Sequence, residues 1–179
     1  EAFKVLPAIL NVAGIAPATV VLIGHSDGGT IALLYAGRFT VRGVITEAAH
    51  VFVDEISITG VTAANQAWRD TNLKQRLSRY HGANTASMFN AWSSMWLADW
   101  FRDWTIEATL PAILCPVLAI QGEDDEYGTM KQLDAIGRGV SGPVKILAVP
   151  NCGHTPHIKA RDIVTLAIVR FIATVRTNC

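Results

Sequence analysis

Hydrophobic residues along the chain gather in four short runs, at residues 19–23, 41–45, 116–121 and 144–149. Each run is largely continuous instead of alternating with polar residues, and it contains β-branched side chains. This pattern is typical of strands that are buried on both faces of a parallel sheet. The four runs therefore predict four short strands that share one sheet.

Apolar residues at helical spacing mark the two ends of the chain. The first stripe lies within residues 1–13 and consists of Phe3, Leu6, Ile9, Leu10 and Ala13. The second stripe lies within residues 159–176 and consists of Val164, Ile168, Ile172 and Val175. Spacings of three and four residues place each stripe on one side of a helix. Strands that alternate with helices predict an α/β fold, with a mostly parallel sheet flanked by helices.

Residues 51–110 break this alternation, because they are rich in Asn, Ser, Trp and Met and lack a strand-like run. We predict a helical insertion here, between core segments at residues 1–50 and 111–179. Four of its tryptophans recur every four residues, at Trp92, Trp96, Trp100 and Trp104. That spacing predicts one helix face, which either seats the helix on the domain or, through Trp92 and Trp96, lines a hydrophobic substrate pocket.

Composition narrows the function classes. Half of the 179 residues are hydrophobic and 17% are charged, as expected of a globular domain with a core. Lys plus Arg equals Asp plus Glu, at 15 each, so no net charge favours nucleic acid or an anionic membrane as a partner. No apolar run approaches the roughly 20 residues that span a bilayer, and no signal peptide is visible. Cys115, Cys152 and Cys179 form neither a metal-ligand cluster nor an even disulfide framework. We expect free thiols, a cytoplasmic protein, no metal and no cofactor.

Gly24-His25-Ser26-Asp27-Gly28 follows the first strand-like run directly and precedes a helical pattern. This is Gly-x-Ser-x-Gly in the strand–turn–helix context that a nucleophile elbow requires. The sharp turn strains Ser26 and exposes its hydroxyl, and we expect side chains at Gly24 and Gly28 to clash. The backbone N–H of Asp27 is the predicted oxyanion donor.

A serine needs a base, and the chain has five histidines. His154 follows the last strand-like run in a loop that reaches the carboxyl edge of the sheet, which makes it the predicted base. His157 is the alternative, with a capping or packing role as its other interpretation. His25 should point away from Ser26, His81 should lie at the surface, and His50 is a candidate pocket residue at the mouth of the site.

The orienting acid should also follow a strand. The run at residues 116–121 ends in Gly122 and then four acidic residues, of which Asp125 is our choice and Asp124 the alternative. An acid here would fix the tautomer of His154 and stabilise its protonated form. The order Ser26, Asp125, His154 along the chain is one of the known orders of such triads.

These three motifs resemble the nucleophile, acid and base motifs of the α/β-hydrolase superfamily. They read Gly-His-Ser-Asp-Gly-Gly at residues 24–29, Gln-Gly-Glu-Asp-Asp at 121–125 and Asn-Cys-Gly-His at 151–154. The insertion resembles the small helical cap of esterase-like members, similar to biphenyl-hydrolase-like (valacyclovir hydrolase-like) proteins. The resemblance implies the C-terminal portion of that fold, attack by Ser26, proton transfer by His154 and orientation by Asp125. Asp54, at the cap entrance, is a candidate for binding a polar or cationic substrate group, although a helix cap is the favoured interpretation.

Family members place several strands before the elbow strand, with a loop that supplies a second oxyanion donor. This chain starts in the helix before that strand, so residues 19–23 are expected to form an open edge. We expect an N-terminal segment or a neighbouring chain to pair there, and an isolated chain to be inactive or weakly active. The resemblance implies a serine hydrolase of small-molecule carboxylic esters, or of amides. A carbon–carbon bond hydrolase and a non-catalytic ligand-binding or signalling protein remain as alternatives.

Overall fold

The computed structural model describes residues 1–177, so Cys179 lies outside the described residues. Four strands are present in this part of the chain: β1 (Val21–His25), β2 (Gly43–Glu47), β3 (Val117–Gly122) and β4 (Val144–Val149). The helices are α1 (Val5–Val12), α2 (Asp27–Ala36), α3 (Glu55–Asp70), α4 (Leu73–His81), α5 (Thr85–Trp96), α6 (Lys131–Gly139), α7 (Pro156–Lys159) and α8 (Arg161–Thr177). None of these helices is both long enough and apolar enough to cross a membrane.

The four strands form one sheet in the order β1-β2-β3-β4, and every neighbouring pair is parallel. The predicted α/β fold with a parallel sheet is therefore confirmed. Parallel strands end at the same edge of a sheet, so the residues that follow His25, Glu47, Gly122 and Val149 emerge on one side. The sheet topology alone therefore brings side chains on these four connections close together.

Burial differs between the inner and outer strands. Every residue of β2 and β3 is buried, as the continuous apolar runs predict. The same prediction was wrong for β1 and β4, where Ile23 is 53% exposed and Ile146 is 50% exposed. The outer strands have one sheet neighbour each within the described chain, so less of their surface is covered. An apolar run shows that a strand forms, but it does not show how many neighbours the strand has.

The central strands pack on α8. Ile45, Leu118 and Ile120 form a buried cluster with Val164 and Phe171 of that helix. Burying one such side chain contributes about 1.5–3 kcal/mol relative to leaving it exposed, which fixes α8 on the sheet.

The predicted stripe of the last helix faces the core, since Val164 and Val175 are buried and Ile168 and Ile172 pack against the same cluster. The N-terminal stripe does not behave in this way. Leu10 is buried, whereas Phe3 and Ile9 are about half exposed.

Contacts divide the chain into two compact units, of which one is Val53–Trp104 and the other is formed by the residues on either side. This division is narrower than the predicted insertion at residues 51–110. In the larger unit, an antiparallel bridge between Phe52 and Thr105 joins the chain where the smaller unit leaves and returns. The smaller unit contains α3, α4 and α5 and no named strand.

The prediction that four tryptophans share one helix face was wrong. Helix α5 ends at Trp96, and the chain then turns through a 3-10 segment at Asp99–Phe101. Trp100 and Trp104 therefore lie beyond the helix. The turn lets Trp96, which is 3% exposed, pack edge-on against Phe101 at 5.3 Å between ring centroids. The helix thus ends before the third tryptophan of the series, where sequence periodicity alone would continue it.

Candidate active site

Ser26 occupies a strained turn between β1 and α2. Its backbone angles are φ 55° and ψ −125°, a region that residues other than glycine rarely adopt. Such a conformation costs on the order of 1–3 kcal/mol and persists only where surrounding contacts impose it. Here the N–H of Ser26 donates to the carbonyl of Glu47 at 2.8 Å, and the carbonyl of Ser26 accepts from the N–H of Gly29 at 2.9 Å. These bonds hold the predicted elbow on β2 and α2.

The glycines of the elbow are required for different reasons. A Cβ on Gly24 would lie 2.1 Å from the carbonyl oxygen of Gly28, so no side chain fits there. The same expectation for Gly28 was wrong: within the described chain a Cβ on Gly28 meets no atom within 4 Å. The second close approach is at Gly29, where a Cβ would lie 2.7 Å from the Cβ of Ala49. The helix position that has no room for a side chain is therefore Gly29, one residue after the last glycine of the motif.

The loop after β4 carries His154 to Ser26. The Nε2 atom of His154 lies 3.0 Å from the Oγ of Ser26, within hydrogen-bond distance. The backbone of the loop is fixed as well, because the N–H of His154 donates to Oε2 of Glu126 at 3.0 Å. Asn151, with φ 52°, provides the reversal that starts this loop. Ser26 and His154 are 128 residues apart along the chain and meet in the structure.

Asp125 follows β3 and holds the other side of the imidazole. Nδ1 of His154 lies 2.9 Å from Oδ1 and 3.1 Å from Oδ2 of Asp125, whose carboxylate is buried. Oδ1 also accepts the N–H of Tyr127 at 2.8 Å, and Oδ2 accepts from Nε2 of Gln121 at 3.2 Å. This network places the proton on Nδ1 and leaves Nε2 free to accept the hydroxyl proton of Ser26. Asp124, the alternative acid, is exposed.

The other histidines have distinct places. His50 is buried, its Nε2–H donates to the carbonyl of Tyr127 at 3.0 Å, and its ring centroid lies 6.0 Å from that of His154. Burial lowers the pKa of His50 below its ordinary value, so the ring is neutral. His157, the alternative base, has its Nδ1 3.1 Å from Oε2 of Glu47. The pocket role of His50 stays a prediction.

Asp27 is the first residue of α2, so its backbone N–H belongs to the helix N-terminus, where such groups lack intrahelical partners. The N-terminus of a helix favours negative charge. Both properties suit the predicted oxyanion donor, whose role stays a prediction.

The remaining predicted pocket residues belong to the smaller unit. Asp54 is the N-cap of α3, where its Oδ1 accepts the N–H of Ser57 at 3.1 Å and the hydroxyl of Ser57 at 2.7 Å. This is the favoured helix-cap interpretation. Trp96 is buried against Phe101, and Trp92 packs on Phe89 at 5.6 Å between ring centroids. Their contribution to a substrate pocket stays a prediction.

Two side chains next to the base were missed from the sequence. Glu47 ends β2 and bonds to His157, and Nε2–H of His25 donates to the carbonyl of His154 at 2.7 Å. We expected His25 to point away from Ser26, but the contact with the loop of the base was not foreseen. One signal was available: Glu47 is an acidic residue two positions after an apolar run, and Asp125 is likewise an acidic residue shortly after one. Among residues 1–177, no group of three or more His, Cys, Asp or Glu residues is arranged to hold a metal ion.

Comparisons with known proteins bear on the family. A family model described as the alpha/beta hydrolase family matches residues 4–166. No curated protein matches the sequence significantly.

Solved structures are similar to the chain at low sequence identity. A lipase candidate from Acinetobacter baumannii shares 20% identity at a TM-score of 0.76, over 99% of this chain and 68% of its own length. A thermophilic esterase from Thermogutta terrifontis shares 22% identity at a TM-score of 0.64, over 95% and 70%. The meta-cleavage product hydrolase from Pseudomonas fluorescens shares 13% identity at a TM-score of 0.67, over 94% and 69%. These structures share the fold. The match to the family model covers most of the sequence, so the chain belongs to the alpha/beta hydrolase family.

Proposed function

We propose that the protein is a serine hydrolase that cleaves carboxylic esters of small molecules through an acyl-enzyme, with amides as a second substrate class. The observation that carries this proposal is the continuous set of hydrogen bonds from Ser26 through His154 to Asp125, with heavy-atom distances of 3.0 Å and 2.9 Å. Membership of the alpha/beta hydrolase family supports hydrolase activity in general. A lipase candidate and an esterase among the similar structures favour esters.

The proposed reaction has two halves, the acylation and the deacylation of Ser26, and His154 transfers a proton in each. Nε2 of His154 takes the hydroxyl proton as Oγ of Ser26 attacks the ester carbonyl. Asp125 stabilises the resulting imidazolium, and the N–H of Asp27 donates to the developing oxyanion. His154 then returns the proton to the departing alcohol, which leaves Ser26 acylated. In the second half, His154 activates a water that releases the acid and restores Ser26.

A serine-directed fluorophosphonate tests this proposal directly. We expect the wild-type chain to be labelled, Ser26→Ala to remain unlabelled, and Ser141→Ala, which changes an exposed serine elsewhere, to label like the wild type. Labelling that does not depend on Ser26 would remove the basis of the enzymatic proposal and favour the non-catalytic alternative.

The reaction class needs a second assay. We expect turnover of a short series of p-nitrophenyl esters, and slower turnover of the matching anilides. The alternative is hydrolysis of a carbon–carbon bond, which is favoured by the similarity to a meta-cleavage product hydrolase. Turnover of a vinylogous diketone, with no turnover of the esters, would select that alternative.

The pairing partner of β1 and the cellular location of the protein stay predictions. Within the described chain β1 has β2 as its one sheet neighbour, so the other edge of β1 is where the expected segment or neighbouring chain would pair. The cytoplasmic location rests on the cysteines, of which Cys115 and Cys152 are free in the structure.

A further inference from the structure

Glu47 contacts both sides of the candidate active site through different atoms. Its backbone carbonyl accepts the N–H of Ser26 at 2.8 Å. Its side-chain Oε2 accepts the backbone N–H of His157 and the Nδ1–H of His157, each at 3.1 Å. The carboxylate is 6% exposed, at the carboxyl end of the buried strand β2. One residue of a rigid strand is therefore bonded to the nucleophile turn and to the chain just after the base.

The position of His157 makes this second contact relevant to the base. His157 lies three residues after His154, at the start of α7, which has four residues. A helix this short has little stability of its own, since helix nucleation is unfavourable. The bonds to Glu47 fix its first turn, and His25, whose Nε2–H donates to the carbonyl of His154, fixes the loop before it. The ring of His157 stands edge-on to that of His25 at 5.1 Å, and the ring of His25 lies 4.9 Å from that of His154.

A buried carboxylate also needs an explanation in its own right. Removing a charge from water is costly unless hydrogen bonds compensate, and an apolar residue would complete a buried strand at lower cost. Every other residue of β2 is apolar, glycine or the small Thr46. The bonds that Glu47 makes to His157 are thus the compensating contacts.

We propose that Glu47 is a positioning residue that sets the distance between Ser26 and His154. This inference rests on the proposed function, because it assigns Glu47 to the reaction of that site. Glu47 does not touch the reacting atoms; it acts through His157 and the backbone of Ser26. Since a misplacement of about 1 Å can reduce a rate about 10²-fold, loss of the Oε2 contacts should lower the acylation rate and leave substrate affinity unchanged.

Two substitutions separate the hydrogen bonds from the charge. Both bonds end on the same oxygen, so Glu47→Gln can keep them by placing its carbonyl oxygen at the position of Oε2. Glu47→Leu fills a similar volume and keeps neither bond. Ile45→Ala is the matched control, because it removes buried side-chain volume from the same strand and leaves the Oε2 contacts of Glu47 in place.

The measurement is the rate of fluorophosphonate labelling of the 179-residue chain, resolved into inhibitor affinity and maximal rate and normalised to the labelled fraction. We expect the maximal rate of Glu47→Leu to fall about 10²-fold at unchanged inhibitor affinity, and Glu47→Gln to recover most of it. Ile45→Ala should lower the melting temperature and keep the wild-type rate per labelled site. Equal rates for Glu47→Leu and the wild type would overturn the proposal, as would a loss in Glu47→Gln as large as in Glu47→Leu.

A readout without turnover keeps this test separate from that of the proposed function. Nitrogen-15 NMR of labelled histidines reports the Nε2 of His154, whose chemical shift depends on the contact with the hydroxyl of Ser26 at 3.0 Å. This shift should be the same in the wild type and Glu47→Gln and should change in Glu47→Leu. If the wild type is not labelled but these spectra differ as expected, the proposed function fails and the positioning role stands. If Glu47→Leu does not fold, His157→Ala replaces it, since that variant loses the side-chain bond and keeps the backbone bond. An unchanged His154 signal in Glu47→Leu, or in His157→Ala where that variant replaces it, would refute the role.

Discussion

Replacing Asp125 by asparagine removes one negative charge from the contact with His154 and keeps the shape of the side chain. In the proposed reaction this charge faces a protonated imidazole in the transition state. Oδ1 lies 2.9 Å from Nδ1, and the carboxylate is 1% exposed, so water screens the pair little. With delocalised charges about 4 Å apart and an effective dielectric constant of about 20, the attraction is roughly 4 kcal/mol. At about 1.4 kcal/mol for each factor of ten, its loss corresponds to a rate about 10³-fold lower.

The hydrogen bonds of Asp125 explain why the loss of rate should not be larger. In serine hydrolases where the asparagine variant adopts the wrong histidine tautomer, the rate falls about 10⁴-fold. Here the N–H of Tyr127 donates to Oδ1 at 2.8 Å, and a backbone N–H cannot reverse its role. The asparagine oxygen should therefore occupy the position of Oδ1 and still accept the Nδ1–H of His154. The amide group of the asparagine then faces the Nε2 of Gln121, and both groups are donors. This contact should lower the stability of the protein, but it leaves the tautomer of His154 in place.

The assay is hydrolysis of p-nitrophenyl acetate by the wild type, Asp125→Asn and Asp124→Asn, each normalised by fluorophosphonate titration of active sites. Asp124 is exposed, so its variant should keep the wild-type rate and serve as the control. A loss below about tenfold in Asp125→Asn would refute the electrostatic reasoning, given the roughly 4 kcal/mol calculated for this pair. A larger loss in Asp124→Asn than in Asp125→Asn would assign the acid to the alternative residue.

Three further predictions concern stability and binding. Burial lowers the pKa values of His25 and His50, so the stability from their neutral forms is complete above the unfolded-state value of about 6.5 and is lost as the pH falls through the folded-state values. Urea unfolding should show a lower free energy at about pH 5 than at about pH 7.5, and the drop should be smaller in His50→Gln; an equal drop would contradict the assignment to His50. Gly24→Ala should cost at least about 3 kcal/mol, because its Cβ would overlap the carbonyl of Gly28. Gly28→Ala should be neutral or stabilising by up to about 1 kcal/mol in the first turn of α2; similar melting temperatures of the two variants would contradict the steric argument. Asp54→Ala should cost about 1 kcal/mol through loss of the α3 cap, and Asp54→Asn should keep that stability; a higher KM for cationic esters alone in Asp54→Asn would restore the substrate-binding role.

Sequence was sufficient where local pattern and topology agree. Apolar runs identify β2 and β3 as buried strands. Parallel strands end at one edge of a sheet, so three motifs that each follow a strand were enough to predict that Ser26, Asp125 and His154 meet. Sequence was insufficient where tertiary contacts decide. The position of Trp96 depends on packing with Phe101, beyond the end of its helix. The helix residue that must lack a side chain is Gly29 and not Gly28, because a Cβ on Gly29 would meet the Cβ of Ala49.

The strand order creates a distance problem that Gly122 solves. Ser26 follows β1 and His154 follows β4, and adjacent strands are about 4.8 Å apart, so the loop of His154 must cross the ends of the intervening strands. It crosses β3 at Gly122, the last residue of that strand, where a Cβ would lie 2.0 Å from the carbonyl oxygen of Cys152 and 2.4 Å from that of Gly153. The N–H of Asp124 donates to the same carbonyl of Cys152 at 2.9 Å and holds the loop against the strand end. An alanine at this position would therefore push the base loop away from the sheet.

Gly122→Ala should accordingly lower both the melting temperature and the rate of ester hydrolysis per titrated active site, by about 10²-fold for a displacement of about 1 Å. Gly142→Ala is the matched control: its Cβ would lie 2.5 Å from the carbonyls of Leu114 and Cys115, in a connection outside the candidate active site. It should lower the melting temperature in the same way and keep the rate per active site. If the two variants lose rate equally, the loss follows from general destabilisation, and the crossing over β3 does not set the position of the base. If Gly122→Ala alone loses rate, the missing Cβ at the end of β3 is what allows a histidine from the fourth strand to reach a serine from the first.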